Sequence, residues 1–279
     1  MRGRGWLIGV RILVSLHSWW GVVFCLLFAM WFASGIVMHL VPFPARTITA
    51  LGTGKVRSAE EARKLAEAYG RGHGIELSRI GVISIADDQW TVGGAYDPDR
   101  PLYRAEIGDE AGTELYVASS TGDVVLVTTR MERAANYAGS IPHWIYPAAL
   151  RRHRQAWSTL VWWLSLFATL GAGLGVIVGL VRLGKCAPAR RGLRGWHHVS
   201  GLILAPFMLS WIFSGFLSMD DGRLFAHEEA LFRALHTLDL PALTSRPGLR
   251  SGLIVGLCLC GFAFSLTGVV LSWRRVRQI

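Results

Sequence analysis

Four apolar stretches in this chain are each long enough to cross a lipid bilayer as an α-helix. One crossing takes about 20 apolar residues, and the stretches are residues 12–41, 157–181, 197–219 and 251–273. The chain is 52% hydrophobic and only 17% charged, which is too apolar for an ordinary soluble domain. We therefore expect a mainly α membrane protein built on a four-helix transmembrane bundle, with the lipid bilayer as its first partner. We do not expect the first stretch to be a cleaved signal peptide, because its apolar core is too long for one.

The basic residues, which give the chain a net charge of +10, are clustered at the ends of these stretches. If the four spans alternate in direction, three clusters fall on one side of the membrane, and the positive-inside rule makes that side cytoplasmic. The clusters are Arg2, Arg4 and Arg11, then Arg182, Lys185, Arg190, Arg191 and Arg194, and finally Arg274, Arg275 and Arg277. Both termini are thus predicted to be cytoplasmic. Because the topology accounts for the basic excess, we expect no nucleic-acid partner.

This topology divides the chain into seven predicted parts. Residues 1–41 hold the cytoplasmic N-terminus and the first span, and residues 42–156 form a periplasmic domain with its linker. The remaining parts are the second span (157–181), a cytoplasmic loop (182–196), the third span (197–219), a periplasmic loop (220–250), and the fourth span with the cytoplasmic C-terminus (251–279). No cysteine lies in either periplasmic part, so no disulfide framework is expected there.

Residues 42–156 are predicted to form a small α+β domain. The stretch SAEEARKLAEAY (58–69) is typical of a helix, because Ser58 can cap its first turn and Glu61 stands three residues later. Alternating apolar and polar residues then predict three or four short strands. The strand segments are VISIADDQWTV (82–92), PLYRAEI (101–107) and ELYVASSTGDVVLVT (114–128).

The first and third spans are related by an internal repeat. At an offset of 180 residues, HSWWGVVFCLLFAMWFASG (17–35) aligns without gaps with HHVSGLILAPFMLSWIFSG (197–215). The alignment matches His17 with His197, Gly21 with Gly201, Trp31 with Trp211, and Ser34-Gly35 with Ser214-Gly215. A weaker echo matches Gly175-Val176-Ile177 of the second span with Gly268-Val269-Val270 of the fourth. We therefore predict two hairpins related by an axis along the membrane normal.

The repeat provides a partner for a histidine that stands in an apolar span. His17 and His197 begin spans that run in the same direction, so both are expected at one depth near the cytoplasmic face. Gly21 and Gly201 follow four residues later on the same helical face and leave room for a flat group close to the backbone. Two facing histidines with such clearance are a common way for a helical bundle to hold a haem iron. Haem is therefore the expected cofactor.

Two alternatives accompany this interpretation of the histidines. A histidine beside Trp19 and Trp20 could instead belong to an aromatic belt at the membrane interface. His198 competes with His197 for the ligand role and lies about 100° around the helix. The repeat favours His197.

A second site is predicted at the outer end of the spans. His39 follows His17 by 22 residues, which is nearly a whole number of helical turns and separates the two by about 33 Å. His143 and His153 stand before the second span, where either could pair with His39 and raise the number of haems to two. Aromatic side chains between the two depths could shorten the electron path, namely Trp31, Trp162, Trp163 and Trp211.

Three arginines stand in the same region before the second span, on the side where the topology disfavours cations. They are Arg151, Arg152 and Arg154. Their charge could hold haem propionates or attract an anionic ferric complex.

In combination, these features resemble the PepSY-associated transmembrane family. They are the four spans, the stretch VASSTGDVV (117–125) in a PepSY-like domain between the first two, an early LH…G, and GWHHVSG before the third span. The resemblance implies a protein of the bacterial inner membrane that carries b-type haem, passes electrons from cytoplasm to periplasm and reduces a ferric chelate such as a ferric siderophore. It also implies that the family's histidine positions are matched by His17, His197 or His198, His153 and His143.

Three classes of function stay open at this point. The first is a haem-bearing transmembrane electron carrier or reductase, which would be an oxidoreductase. The second is a non-enzymatic regulator, in which the PepSY-like domain binds a partner and the spans anchor it. The third, a transporter, would need polar residues at mid-membrane, where the spans are apolar. The sequence has no dinucleotide-binding fingerprint, so electrons would come from quinol or from a separate reductase, and the catalytic residues stay unassigned.

Overall fold

The structure is a computed structural model, and the chain divides into two compact units. A helical unit comprises residues 1–39 and 158–279, and a sheet unit comprises residues 40–157. The structure describes residues 4–51, 54–183, 192–220, 224–225 and 228–277. Four residues of the basic clusters lie outside this described part, namely Arg2, Lys185, Arg190 and Arg191.

The secondary structure alternates long helices with one block of strands. The helices are α1 (Arg4–Leu40), α2 (Ala59–Gly72), α3 (Arg130–Ala138), α4 (Ser140–His143), α5 (Ala148–Arg151), α6 (Arg154–Leu183), α7 (Leu193–Leu217), α8 (Glu228–His236), α9 (Pro241–Thr244) and α10 (Pro247–Val276). The strands are β1 (Gly81–Ile85), β2 (Leu102–Glu106), β3 (Glu114–Ala118) and β4 (Val124–Thr128). Within the described residues, α1, α6, α7 and α10 are long and apolar enough to cross a membrane, which confirms a long apolar helix at each of the four predicted stretches.

The four long helices pack around a core of aromatic and aliphatic side chains. Its buried members are Phe24, Phe32, Ala168, Met208, Trp211, Ile212, Ile254 and Cys258. Nε1 of Trp20 donates to the carbonyl oxygen of Phe167 at 2.9 Å and so ties α1 to α6. The ring of Phe32 on α1 lies against Gly261 of α10, where the absence of a side chain allows the close approach that such interfaces favour.

The sheet unit is built on an antiparallel sheet with the strand order β1-β2-β3-β4. Helix α2 begins after Ser58, whose hydroxyl accepts from the backbone N–H of Glu61 at 3.2 Å, as the capping pattern predicts. One face of the sheet packs against α2 through a core that includes Leu65, Tyr69 and Val117. The predicted helix and short strands are confirmed.

The opposite face of the sheet is also covered, which the sequence pattern does not predict. A second core forms there from Trp90, Tyr96, Leu102, Tyr116, Ala118, Val125, Leu126 and Ile141. Strand β1 ends at Ile85, earlier than the predicted segment 82–92, because the Asp88 carboxylate accepts from the backbone N–H groups of Trp90 and Thr91 at 3.0 and 3.1 Å. Such side-chain contacts fold the chain into a turn.

Candidate functional site

His17 on α1 and His197 on α7 face each other inside the helical unit. Their ring centroids lie 6.4 Å apart, with an angle of 36° between the ring planes. The two residues occupy matching places in the repeat. The structure thus brings together the pair that the repeat singles out.

Each of these histidine rings lies near a glycine of the next long helix. A Cβ atom at Gly175 of α6 would lie 2.9 Å from Cε1 of His17, and one at Gly268 of α10 would lie 3.6 Å from Cε1 of His197. Gly175 and Gly268 are the glycines of the weaker echo between the second and fourth spans. In both hairpins a glycine of the second helix thus lies near the histidine of the first, although the nearest side chain to a Cβ atom at Gly268 is that of Cys25, at 2.5 Å.

A cavity of about 650 Å³ lies between the four long helices and includes both histidines in its wall. Ligand pockets have volumes of roughly 300–1,000 Å³, so the cavity can take a cofactor-sized molecule. Gly21 and Gly201, which were predicted to leave room for a flat group, also line the cavity. The nearest side chains to a Cβ atom at these two positions are those of Ser272 and Phe264, and not those of the histidines. Among the residues that the structure describes, six glycines line the cavity, namely Gly21, Gly171, Gly175, Gly179, Gly201 and Gly268.

The proton of the His197 imidazole is positioned by Thr267 of α10. Nδ1 of His197 lies 2.7 Å from Oγ1 of Thr267, and this hydroxyl donates its proton to the carbonyl oxygen of Phe264 at 2.6 Å. Because a hydroxyl has one proton, Thr267 accepts from Nδ1–H of His197. Nε2 then keeps the lone pair that a metal ion needs. The ring of Phe264, stacked on His197 at a centroid distance of 4.6 Å, further fixes its orientation.

The imidazole of His17 is not satisfied in the same way. Its Nδ1 atom is buried and has no hydrogen-bond partner among the residues that the structure describes. Buried polar atoms in proteins are almost always paired. Within the described structure, His17 is therefore held by fewer polar contacts than His197.

His198 also lines the cavity, so the structure places both competing histidines of α7 at its wall. The facing ring of His17 and the Thr267 contact both belong to His197. Within the described part of the chain, no group of three or more His, Cys, Asp and Glu side chains could hold a metal ion. The candidate donors are therefore a pair of imidazoles.

The predicted outer histidines are distributed over both units. His39 belongs to the helical unit, where its Nε2 lies 2.8 Å from Oγ of Ser251 at the start of α10. His143 is the last residue of α4, and His153 is exposed between α5 and α6. The pairing of His39 with either of them stays a prediction.

The three predicted arginines of the sheet unit have partners inside that unit. Arg152 pairs with Asp87 at 2.7 Å, and Arg154 pairs with Asp97 at 2.5 Å. The hydrogen bond from Arg154 holds the pKa of Asp97 below its usual range. The guanidinium of Arg151 lies over the ring of Trp157 at 4.2 Å, a cation–π geometry. Two of the three charges are thus matched by carboxylates, and their role toward an anionic ligand stays a prediction.

The sequence analysis does not identify His236, a further histidine of the helical unit. His236, at the end of α8, packs against α7, with Nδ1 at 3.1 Å from Oγ of Ser214 and at 3.2 Å from the carbonyl oxygen of Trp211. Burial lowers its pKa to about 4, so the ring is neutral at physiological pH. Gly215 lies beneath it, and a Cβ atom there would lie 3.4 Å from Cε1 of His236. Ser214 and Gly215 belong to the repeat, but the sequence offers no sign that an imidazole from a separate short helix meets them.

Comparison of the chain with protein-family models, with curated proteins and with solved structures found no match.

Proposed function

We propose that this protein holds a b-type haem between His17 and His197 and carries electrons across the bacterial inner membrane. In this proposal the sheet unit is a PepSY-like domain on the periplasmic side. Reduction of a ferric chelate, such as a ferric siderophore, is the expected final step.

The observation that carries the proposal is the distance between the two imidazole rings. A metal ion bound by two imidazoles through bonds of about 2 Å each places the ring centroids on the order of 6 Å apart. The observed centroid distance of His17 and His197 is 6.4 Å. The pair is therefore spaced for one ion between the rings.

Three further features of the site fit a flat cofactor with two axial imidazoles. The cavity is large enough for one and is bordered by glycines, so the backbone leaves room for a macrocycle. Thr267 leaves Nε2 of His197 available as a ligand. Nδ1 of His17 has no hydrogen-bond partner among the described residues, so a ligand that binds this imidazole displaces no described hydrogen bond of that atom.

A bound haem supplies one-electron chemistry, and the chain supplies orientation, exclusion of water and a row of aromatic rings. Trp20, Phe24, Phe28 and Trp31 follow one face of α1 outward from His17. Successive ring centroids in this row lie 5.8, 6.3 and 6.1 Å apart. On α7, the ring centroid of Trp211 lies 6.1 Å from that of Phe32 and 6.2 Å from that of His236. These rings lie along the path that electrons would take toward the outer end.

The proposed direction, from cytoplasm to periplasm, rests on the charge at the ends of the long helices. The start of α1, the end of α6, the start of α7 and the end of α10 lie at one end of the helical unit, which we call the basic end. Described basic residues at this end include Arg11, Arg182, Arg194, Arg274 and Arg277. The positive-inside rule assigns such an end to the cytoplasm, where quinol or a separate reductase could deliver electrons.

The first experiment is an optical spectrum of the purified protein with haem quantification. We expect a low-spin b-type spectrum that is lost, or becomes high-spin, in His17→Ala and in His197→Ala. His73→Ala, which removes an exposed histidine of the sheet unit, is the matched control and should leave the spectrum unchanged. A protein without haem, or two cavity variants with a full low-spin spectrum, would favour the regulator alternative.

The second experiment tests the expected substrate. Dithionite-reduced protein is mixed with ferric siderophores in a stopped-flow instrument, and reoxidation of the haem is followed. We expect faster reoxidation than for a membrane haem protein that lacks the sheet unit. Equal rates across several chelates would contradict ferric-chelate reduction and leave electron transfer to another acceptor.

A further inference from the structure

Two arginines at the basic end are related by the same repeat as the histidine–glycine arrangement. Arg182 follows Gly175 by seven residues on α6, and Arg275 follows Gly268 by seven residues on α10. Seven residues are nearly two helical turns, so each arginine lies on the face of its glycine and roughly 10 Å farther toward the basic end. Each hairpin thus contributes one histidine, one glycine and one arginine in the same order of depth.

Both arginines line the cavity that contains the imidazole pair. Arg194, which precedes His197 by three residues and so lies one turn nearer the basic end, lines it as well. Positive charge is therefore concentrated in one part of the cavity wall, on the basic-end side of the two imidazoles.

The amino-acid sequence offers these cations little internal countercharge. Every aspartate and glutamate among residues 1–39 and 158–279 falls between positions 220 and 239. Asp220, the first of these acidic residues, follows the end of α7 that lies away from the basic end. Arg182 and Arg275 are half-buried and Arg194 is exposed. Opposite charges attract, so a ligand that carries negative charge would be stabilised between the arginines.

Arg275 is held in place by α1. Its Nη2 atom donates to Oγ of Ser15 at 3.1 Å, and its guanidinium lies 5.1 Å from the centroid of the Trp19 ring. Its Nε atom is buried and has no acceptor within the described residues. The guanidinium is thus oriented by two contacts with α1.

We propose that Arg182 and Arg275 bind the two carboxylates of the haem, one arginine to each propionate, with Arg194 as an additional cation at the same edge. The macrocycle then has one orientation, with its carboxylate edge toward the basic end and its apolar edge toward the aromatic core. This inference rests on the proposed haem site and adds the residues that orient the cofactor.

An anionic lipid is the other source of negative charge that could meet these arginines. Cations in loops and at helix ends satisfy the positive-inside rule wherever they face. Lipid binding alone does not require that two arginines stand at matching positions of the repeat on the wall of an internal cavity. The two occupants are distinguished by the experiment below.

The test compares haem with haem dimethyl ester, in which both propionates are neutral. Protein produced in haem-depleted cells is titrated with each compound, and binding is followed by the Soret absorption. A charge-assisted hydrogen bond contributes about tenfold or more in affinity. We therefore expect wild-type protein to bind haem about a hundredfold more tightly than the ester. Arg182→Gln/Arg275→Gln should bind the two compounds with nearly equal affinity.

Arg277→Gln is the matched control. Arg277 lies two residues after Arg275, and its guanidinium lies 4.9 Å from the centroid of the Trp273 ring. It is absent from the cavity wall described above. This variant should keep the wild-type preference for haem over the ester.

The outcomes separate the two proposals. If wild-type protein binds neither compound, the haem site itself is wrong. If wild-type protein binds both equally, the haem site stands and the assignment of the arginines is overturned, without reliance on any variant. If the double variant loses bound anionic lipid but keeps the wild-type preference for haem, the arginines are lipid contacts and the assignment is again overturned.

The reduction potential gives a second measurement that is independent of affinity. A cation near the haem destabilises the ferric form, which carries one more positive charge than the ferrous form. We expect Arg182→Gln and Arg275→Gln each to lower the midpoint potential, and Arg277→Gln to leave it unchanged. Unchanged potentials in both cavity variants would contradict the assignment.

Discussion

Nδ1 of His197 lies 2.7 Å from Oγ1 of Thr267, a residue 70 positions later in the chain. This contact leaves Nε2 as the nitrogen that would bind the iron of the proposed haem. Partners of this kind typically change metal affinity by about 10–100-fold when they are removed. Thr267→Val should therefore weaken haem binding by about that factor, whereas Thr267→Ser should retain it. The measurement is a haem titration, and equal affinities of the valine variant and wild type would contradict the positioning role.

A substitution at Gly175 tests whether the His17 ring packs closely against the backbone of α6. In Gly175→Ala the new Cβ atom would lie 2.9 Å from Cε1 of His17, so we expect a displaced ring and a shift of the haem spectrum toward high spin. Gly173→Ala on the same helix is the control, because a Cβ atom there meets no described atom within 4 Å. The control should bind haem normally and be stabilised by up to about 1 kcal/mol through its helix propensity. Indistinguishable spectra of the two variants would contradict the close contact.

The outer histidines predict a second haem. If His39 pairs with His143 or His153, quantification should give about two haems per chain. His39→Ala, His143→Ala and His153→Ala, measured separately, should show which of them lowers the number to one while the inner haem is retained. A ratio near one in wild-type protein, abolished by His17→Ala, would leave the inner site alone.

The topology predicts a reporter pattern. Fusions after Gly112 should report a periplasmic location, and fusions at Ile279 should report a cytoplasmic one, because the arginines of the basic end favour the inner side. Dual reporters that are active on opposite sides of the membrane make the measurement. A periplasmic signal from the C-terminal fusion would contradict the predicted orientation.

The burial of His236 predicts that the free energy of unfolding falls at acidic pH. Burial lowers its pKa from 6.5 to about 4 in the folded protein, so the unfolded chain binds the proton first as the pH falls. The contribution of His236 to the free energy of unfolding is therefore full above pH 6.5 and is lost between pH 6.5 and 4, by about 3 kcal/mol at most. His236→Gln should flatten this part of the thermal-stability profile in detergent. Parallel wild-type and variant profiles would show that His236 is not the responsible group.

The sequence by itself determined the four long apolar helices, because each apolar run is long enough to cross a bilayer. It also determined the pairing of His17 with His197, because a gap-free repeat places equivalent residues at equivalent depths. The helix after Ser58 and the short strands followed from capping and alternation, which are local properties of the chain.

The tertiary structure alone decided the remaining parts of the site. Gly175 contacts His17, Thr267 contacts His197, and Arg275 contacts Ser15. The two members of each pair lie far apart in the sequence, and their contacts depend on how the long helices are rotated against one another. Apolar periodicity in a span is too uniform to fix that rotation, since nearly every face is hydrophobic. The second core beneath the sheet and the burial of His236 arose in the same way, from elements whose packing partners no local pattern specifies.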